Sequence, residues 1–348
     1  MAGRPSRIHC TLKRSDPPKT ARCRPMQMRV MSETEQNRSL RVAVIIPTHN
    51  RWAAAERALK ALQGDDYSRK RVFLIDDGST DGTADSCRKS YPEVTILDGD
   101  GALWWSGAIN LGLAAVMRGD FDLVAWLNDD NRVETNTLRL MVEAYLRCGD
   151  RSVICARTRS TETGLDEWSG EPPRWHSQWS AETAPTSSVT SGGGPEPDRL
   201  LEHPPGGRGV LIPHSCFREI GMVDQSNFPH YWADHDFHYR AMKAGYRYYL
   251  ASGAFIWNEP NRTRYDESDR YSLRWIVSFL FSRRSPMNLP TLRRLLKRHL
   301  PRDEYRSTFY PLATRTTSWL ASGWVARHPL IHGSLRSIRK TLRRVTGH

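Results

Sequence analysis

From Arg41 onward the chain alternates two hydrophobic patterns. Continuous apolar runs of strand length stand at "RVAVIIP" (41–47), "RVFLIDD" (71–77), "EVTIL" (93–97), "FDLVAWL" (121–127) and "SVICART" (152–158). Between them lie segments with apolar residues at helical spacing: "RWAAAERALKALQ" (51–63), "TDGTADSCRKS" (80–90), "SGAINLGLAAVMRG" (106–119) and "VETNTLRLMVEAYLRCG" (133–149). Unbroken apolar strands suit a parallel sheet buried on both faces. Strands alternating with helices predict an α/β fold: a mostly parallel sheet with helices on both sides. Residues 160–206 lose all periodicity and hold "TAPTSSVTSGGGPEP", which predicts a flexible insertion. Order resumes with "GRGVLIP" (207–213), a short helix from Ser215, a helix over "ADHDFHYRAMKAG" (233–245) and a strand over "YRYYLASGAFIW" (246–257). Residues 270–348 read as a string of basic amphipathic helices.

Three of the predicted strands end in polar residues: Thr48-His49-Asn50-Arg51, Asp76-Asp77-Gly78-Ser79 and Asn128-Asp129-Asp130. In open α/β sheets ligands sit beyond the carboxyl ends of the strands. A parallel sheet would bring these ends to one edge. Taken alone, "DDGSTDGT" equally suits a turn and helix N-cap, and Asp129-Asp130 a solvated loop. Adjacent carboxylates repel, so the pair needs solvent or a positive partner. Neither a dinucleotide-binding Gly-x-Gly-x-x-Gly nor a P-loop follows the first strand. Two carboxylates can instead hold a hard divalent cation, which can in turn hold a diphosphate.

Composition partitions the chain. The net charge is +13, with 9 basic against 3 acidic residues in 1–40 and 19 against 5 in 261–348, so residues 41–260 carry about −7. Nucleic acid, which the overall charge suggests, is not expected at a strand edge lined by acids. A nucleotidyltransferase would also use paired aspartates, but no triphosphate loop follows the first strand. The six cysteines are scattered and suit reduced thiols in the cytoplasm. No signal-peptide core and no apolar run of about 18 residues is present. The expected organisation is a disordered basic segment (1–40), a catalytic domain (41–260, with 160–206 as insertion) and a basic amphipathic helical tail (261–348).

"VAVIIPTHNR", "LIDDGSTDGT" and "LNDDN", in this order and spacing, resemble the inverting family 2 glycosyltransferases, which have the A-type glycosyltransferase fold. "GRGVLIPHSCFREIGMVD" and "HYWADHDFHYRAMKAGY" resemble that family's acceptor half, and "GALWWSGAINLG" a bacterial cell-surface, rhamnosyltransferase-like subgroup. The resemblance implies a nucleotide-diphosphate sugar as donor, a glycan or lipid-linked glycan as acceptor, and Mg²⁺ or Mn²⁺ as cofactor. It places Pro47, Thr48, Asn50 and Arg51 at the nucleotide, Asp76 and Asp77 at base and ribose, and Gly107 and Asn110 near the donor. Asn128, Asp129 and Asp130 occupy the metal motif, with Asp130 on the metal and Asp129 on ribose or metal. Asn128 stands where the family carries an acid. Asp234, in Ala233-Asp234-His235-Asp236, takes the general base position, and Trp232 and Asp236 lie on the acceptor side. Asp234 also suits a helix N-cap and Asp236 a dipole-favoured first-turn acid. Trp105 and Trp232 suit sugar stacking or core packing, and Trp168, Trp175 and Trp179 suit a cover over the acceptor or an anchor for the insertion. The family's late metal-binding His is replaced by Trp257-Asn258-Glu259, leaving Asn258 or Arg262 for the diphosphate. In the tail, "LPTLRRLLKRHL" (289–300) and "SLRSIRKTLRRV" (334–345) suit a peripheral place on the anionic inner membrane face, or packing on their own domain.

Overall fold

The computed structural model describes residues 40–168, 198–203, 205–259 and 269–328. The basic segment before Leu40, most of the 160–206 insertion with Trp175 and Trp179, Arg262 and the basic stretch 334–345 lie outside the described residues.

Ten strands form one sheet among the described residues. They are β1 (Val42–Thr48), β2 (Lys70–Asp76), β3 (Thr95–Asp98), β4 (Leu123–Trp126), β5 (Asn131–Val133), β6 (Ser152–Ser160), β7 (Asp166–Trp168), β8 (Arg199–Leu201), β9 (Val210–Pro213) and β10 (Arg247–Asn258). The main order is β3-β2-β1-β4-β9-β6-β10-β5; β7 pairs with β6 and β8 with β10. On that path only β9 and β5 run against the other strands, so the sheet is mostly parallel, as the apolar runs predict.

The continuous apolar run of β1 is explained by its two faces. Ala43 and Ile45 point into one core with Ala108, Ile109, Leu113 and Val116 of α3 (Trp104–Val116). Val42, Val44 and Ile46 point into the other, with Ala55, Leu59 and Leu62 of α1 (Trp52–Gln63) and Leu138, Met141 and Val142 of α4 (Thr137–Cys148). All five β1 residues are 0% exposed. A side chain of this size gains about 1.5–3 kcal/mol on full burial, which fixes the strand between two helix layers. Cys87 of α2 (Thr83–Ser90) joins the second layer, and α5 (His214–Ile220) and α6 (Ala233–Lys243) join the first.

One feature departs from the sequence reading, and another bears on an alternative it left open. The run "FDLVAWLNDD" does not stay a strand to its acids: β4 stops at Trp126, and Asn131 closes a turn by accepting the Asn128 N–H on its side chain (2.9 Å) and donating its own N–H to Asn128 O (3.1 Å). The chain then runs on as β5, antiparallel to β10.

The open alternative concerns the basic helices α7 (Leu273–Phe281), α8 (Leu289–His299) and α9 (Arg302–Arg327), of which α8 packs on its own domain. The apolar face of α8 is not offered to a membrane: Leu292, Leu295 and Leu296 are 1%, 0% and 2% exposed, with Leu295 inside the main core. Part of its basic face is also engaged. Asp236 of α6, 0% exposed, accepts from Arg240 (2.9 Å), Arg298 (2.9 Å) and His299 Nε2 (2.8 Å). Arg298 also reaches Asp224 (2.8 Å) and Arg294 the carbonyl of Asn227 (2.8 Å). Asp236, expected on the acceptor side, is thus a buried anchor between the sheet domain and the C-terminal helices.

Burial opposes ionisation of Asp236, but His299, Arg298 and Arg240 outweigh it and hold its pKa at about 2. Its contribution to stability is therefore complete above the ordinary value of 3.8 and is lost as pH falls toward about 2. Asp236→Ala should destabilise the fold at pH 7 by about 3–5 kcal/mol, because it removes the buried acceptor shared by Arg240, Arg298 and His299. Denaturant melts at pH 7 and pH 3 check this, and the difference from wild type should narrow at the lower pH.

Candidate active site

The three polar strand ends do meet. Thr48 faces Asp76 across the β1–β2 ladder, and Thr48 Oγ1 donates to Asp129 Oδ2 (2.9 Å). Strands β1 and β4 are paired only as far as Ile45 and Trp126, and Leu127 N still reaches Ile45 O (3.2 Å). Pro47 lies just past this point, where the strands part and where its lack of an N–H costs no ladder bond on that side. The carboxyl edge opens there.

The adjacent acids find their positive partner in Arg51, just before α1. Its Nη1 lies 2.8 Å from Asp129 Oδ1 and 3.5 Å from Asp130 Oδ2. One guanidinium does not neutralise two buried carboxylates, 5% and 7% exposed. Burial, together with the charge of Asp130, pushes Asp129 up to about 7 despite Arg51 and Thr48. Burial also raises Asp130, against the pull of Arg51 and Arg208. Two carboxyl groups against one guanidinium leave an excess of acidic oxygens at this edge.

A divalent cation fits this excess. Asp130 is loosely held, by Arg51 at 3.5 Å and Asn131 Nδ2 at 3.3 Å, so its hard oxygens can be recruited. No group of three or more His, Cys, Asp or Glu suited to a metal occurs among the described residues. Asn128 Oδ1 already accepts from Trp105 Nε1 (3.1 Å). Asn258, at the position of the missing His, is spent on Asn131 (2.9 Å) and Glu167 (2.7 Å). A cation here would take one or two carboxylates and complete its shell with substrate oxygens and water, a habit of Mg²⁺.

Several expected donor residues are held as framework. Asp77 accepts backbone N–H bonds from Gly101 (2.9 Å), Leu103 (3.2 Å) and Trp104 (3.0 Å), fixing the loop that opens α3. Asp76, 3% exposed, accepts from Ser79 N (3.1 Å). Asn50, at φ 51°, accepts from Thr80 N (2.7 Å) and ties the β1–α1 turn to the β2–α2 turn. Asn110 exchanges bonds with Val223 N (3.1 Å) and Val223 O (2.9 Å), and Gly107 lets Leu103 approach to 3.1 Å from where a Cβ would stand. These groups shape the rim of the site.

The second half of the site hangs on the loop before β9. Asp234, in the first turn of α6, accepts Gly207 N on Oδ2 (2.7 Å), and His235 N (2.8 Å) and Nδ1 (3.0 Å) on Oδ1. The N-cap position belongs to Trp232, at φ 73°. Burial works against the charge of Asp234, but His235 more than compensates and the pKa is lowered. A Cβ on Gly207 would stand 2.5 Å from Trp105 Cζ2 and 3.0 Å from Asp234 Cβ, so only glycine permits this approach. Trp105 itself packs edge-on against the buried Trp126 (5.6 Å). Trp232 donates to Pro286 O (2.9 Å), bringing the α7–α8 connection beside Asp234.

Arg208, which the sequence reading passed over, follows Gly207. Among the described residues its guanidinium has no hydrogen bond or ion pair, yet its charge bears on Asp130. Gly209 N on Trp126 O (2.9 Å) and Gly207 N on Asp234 pin its backbone on both sides. The signal was present in "GRG": a cation between two glycines of a loop that precedes a buried strand.

The architecture, a mostly parallel sheet between helix layers, is the A-type glycosyltransferase fold shared with GalNAc-T7. Residues 43–194 match the family model of glycosyl transferase family 2, which spans Arg51, Asp129 and Asp130 and ends before Arg208 and Asp234. Similar solved structures include GalNAc-T7 with UDP, GalNAc and Mn²⁺ (TM-score 0.53, 14% identity, 78% of this chain and 50% of that one). They also include S. aureus TarS (0.45, 16%, 75% and 43%) and its residues 1–349 in complex with UDP (0.47, 15%, 80% and 72%). The chain thus spans less than half the length of the first TarS structure and half that of GalNAc-T7. No curated protein matches.

A raised carboxylate makes its own prediction. Asp129 binds its proton more tightly folded (about 7) than at its ordinary 3.8, so wild-type stability falls as pH rises from about 4 to about 7. Asp129→Asn should flatten that fall and melt at a higher temperature than wild type at pH 8. Equal melting temperatures at pH 8 would mean that the carboxylate is well solvated.

Proposed function

We propose that this protein is an inverting glycosyltransferase that moves a sugar from a nucleoside-diphosphate donor to a hydroxyl of a glycan or lipid-linked glycan. The observation that carries the reading is the joining of two centres by one loop. Asp129–Asp130 with Arg51 stand at the strand edge, Asp234 hangs on Gly207, and Arg208 lies next in sequence with its charge on Asp130. The match to glycosyl transferase family 2 and the shared fold with GalNAc-T7, whose structure holds UDP and Mn²⁺, support it. The rhamnosyl-like donor preference implied by "GALWWSGAINLG" belongs to the same reading, as does a cytoplasmic, membrane-peripheral location.

In this reading Arg208 and Arg51 face the donor diphosphate and offset the charge that grows there as the sugar–phosphate bond breaks. A divalent cation on Asp130, with Asp129 beside it, supplies Lewis-acid stabilisation of the same leaving group when bound. The acceptor oxygen forms its bond to the anomeric carbon on the opposite face, and the bonding pair leaves with the diphosphate. Asp234 takes the acceptor proton. Its side chain is 21% exposed, so a hydroxyl can reach it, and His235 and Gly207 fix its orientation. Its lowered pKa keeps it ionised and ready, at some cost in basicity.

Nucleoside diphosphate release from a panel of sugar donors, with and without Mg²⁺ or Mn²⁺, tests the reading. Asp234→Asn should lower kcat by about 10² or more while donor binding survives. Arg208→Ala should weaken binding of the free nucleoside diphosphate. A panel in which no donor turns over, or an Asp234→Asn variant with wild-type kcat, overturns it.

A further inference from the structure

Burial of the α8 apolar face removes one candidate membrane surface and leaves another. On α7, Leu273, Val277 and Phe281 follow one another at four-residue spacing, so they share one helix face. They are 65%, 58% and 57% exposed, while Trp275 across the helix and Leu280 at the edge of the stripe are 7% and 9% exposed. Thus α7 is apolar over more of its circumference than it packs, and the stripe is the part left uncovered. Trp319 of α9, 41% exposed, borders the packed side of α7 through Phe279 (5.9 Å) and meets Tyr271 just before the helix (5.4 Å).

The charge near the stripe is mainly positive, although Asp269 accepts from the Ser272 cap and Asp303 and Glu304 open α9. From Ser272 to Arg302 the chain contains eight Lys and Arg and no Asp or Glu. Some of these cations are engaged, as Arg294 and Arg298 are on the sheet domain. Arg293 and Lys297, one turn apart on α8, are exposed and have no ion pair among the described residues. Exposed apolar side chains within a predominantly cationic setting are complementary to a surface that is anionic outside and apolar beneath. An acidic protein would satisfy the cations but not the aliphatic stripe.

The stripe also leads to the site. Phe281 ends α7, and three residues on, the Arg284 guanidinium lies 5.8 Å from the Trp104 ring. Pro286 then accepts from Trp232, which precedes Ala233 and Asp234. The connection after the stripe thus borders the acceptor side.

We infer that the Leu273–Val277–Phe281 face of α7 is a shallow-inserting surface for anionic lipid, placed beside the acceptor side of the site. This deepens the reading above, in which the acceptor is lipid-linked, and names the element that meets the bilayer. Electrostatic attraction draws the helix in and decays over about 8 Å at physiological ionic strength, so the apolar stripe must supply the contact that persists in salt.

Vesicle flotation of the full-length protein tests this without any donor. One vesicle set is phosphatidylcholine alone and the other an equimolar mixture with phosphatidylglycerol. Wild type should float with the anionic set and not with the neutral one. Val277→Glu with Phe281→Glu should lower the binding constant about tenfold or more, with unchanged melting temperature, since both positions are exposed. Nucleoside diphosphate binding should be unaffected, so loss of flotation and failure of the glycosyltransferase reading are separable. If the double variant floats like wild type, basic segments elsewhere account for lipid binding and the inference falls. It falls equally if wild type ignores anionic vesicles at low salt. Wild type that self-associates in solution, with the variant monomeric, would show that a second copy covers the stripe, and would also overturn it.

Discussion

Two carboxylates next to each other in sequence, buried at the end of a sheet, must be compensated, and the rest of the site is arranged around that requirement. Arg51 spans Asp129 and Asp130 from the start of α1, and Thr48 holds Asp129 from the end of β1. The compensation is incomplete, as the raised pKa of both acids records. A fold that wanted only stability would replace such a pair with apolar residues. Retaining it leaves a place where a cation, or a cation with its phosphates, gains more than it would in water. Arg208 stands at the same edge with no partner of its own among the described residues, which suits a group that arrives with negative charge.

Much of the fold was legible because burial on both faces erases polar positions. The runs at 42–46 and 123–127 read as strands since the helix layers above and below leave no polar face. The strand ends also read correctly as one edge, because β1, β2 and β4 run parallel and leave their carboxyl ends together. What escaped were features set by partners remote in sequence. The turn at Asn128–Asn131 and the short β5 depend on β10, more than a hundred residues on. The insertion of β9 against the general strand direction depends on pairing with β4 and β6, which no local pattern encodes.

The site was legible to a similar depth. The motif acids declared themselves by sequence, but not their division of labour. Asp77, Asn50 and Asn110 sit inside motif segments and are committed to backbone groups of neighbouring loops. Asp236 looked like a companion of Asp234 two positions away; on a helix that spacing turns the side chains to different sides, and Asp236 faces α8. That contact changes how the basic C-terminal half is understood. Its helices are fastened to the sheet domain through a buried charge cluster and through Trp232 and Pro286, so the surroundings of Asp234 draw on both the sheet domain and the C-terminal helices.

The central claim is that the Asp129–Asp130 edge, together with Arg208, receives the diphosphate of a nucleotide donor. Calorimetric titration with UDP, dTDP and GDP, each with and without Mn²⁺, measures it most directly. At least one nucleotide should bind the wild-type protein, more tightly with the cation. Asp130→Asn should abolish the gain from Mn²⁺ while leaving the cation-free affinity nearly unchanged. If none of the three binds, or if Asp130→Asn keeps the full effect of Mn²⁺, the strand-edge carboxylates serve some other purpose and the proposed site is wrong.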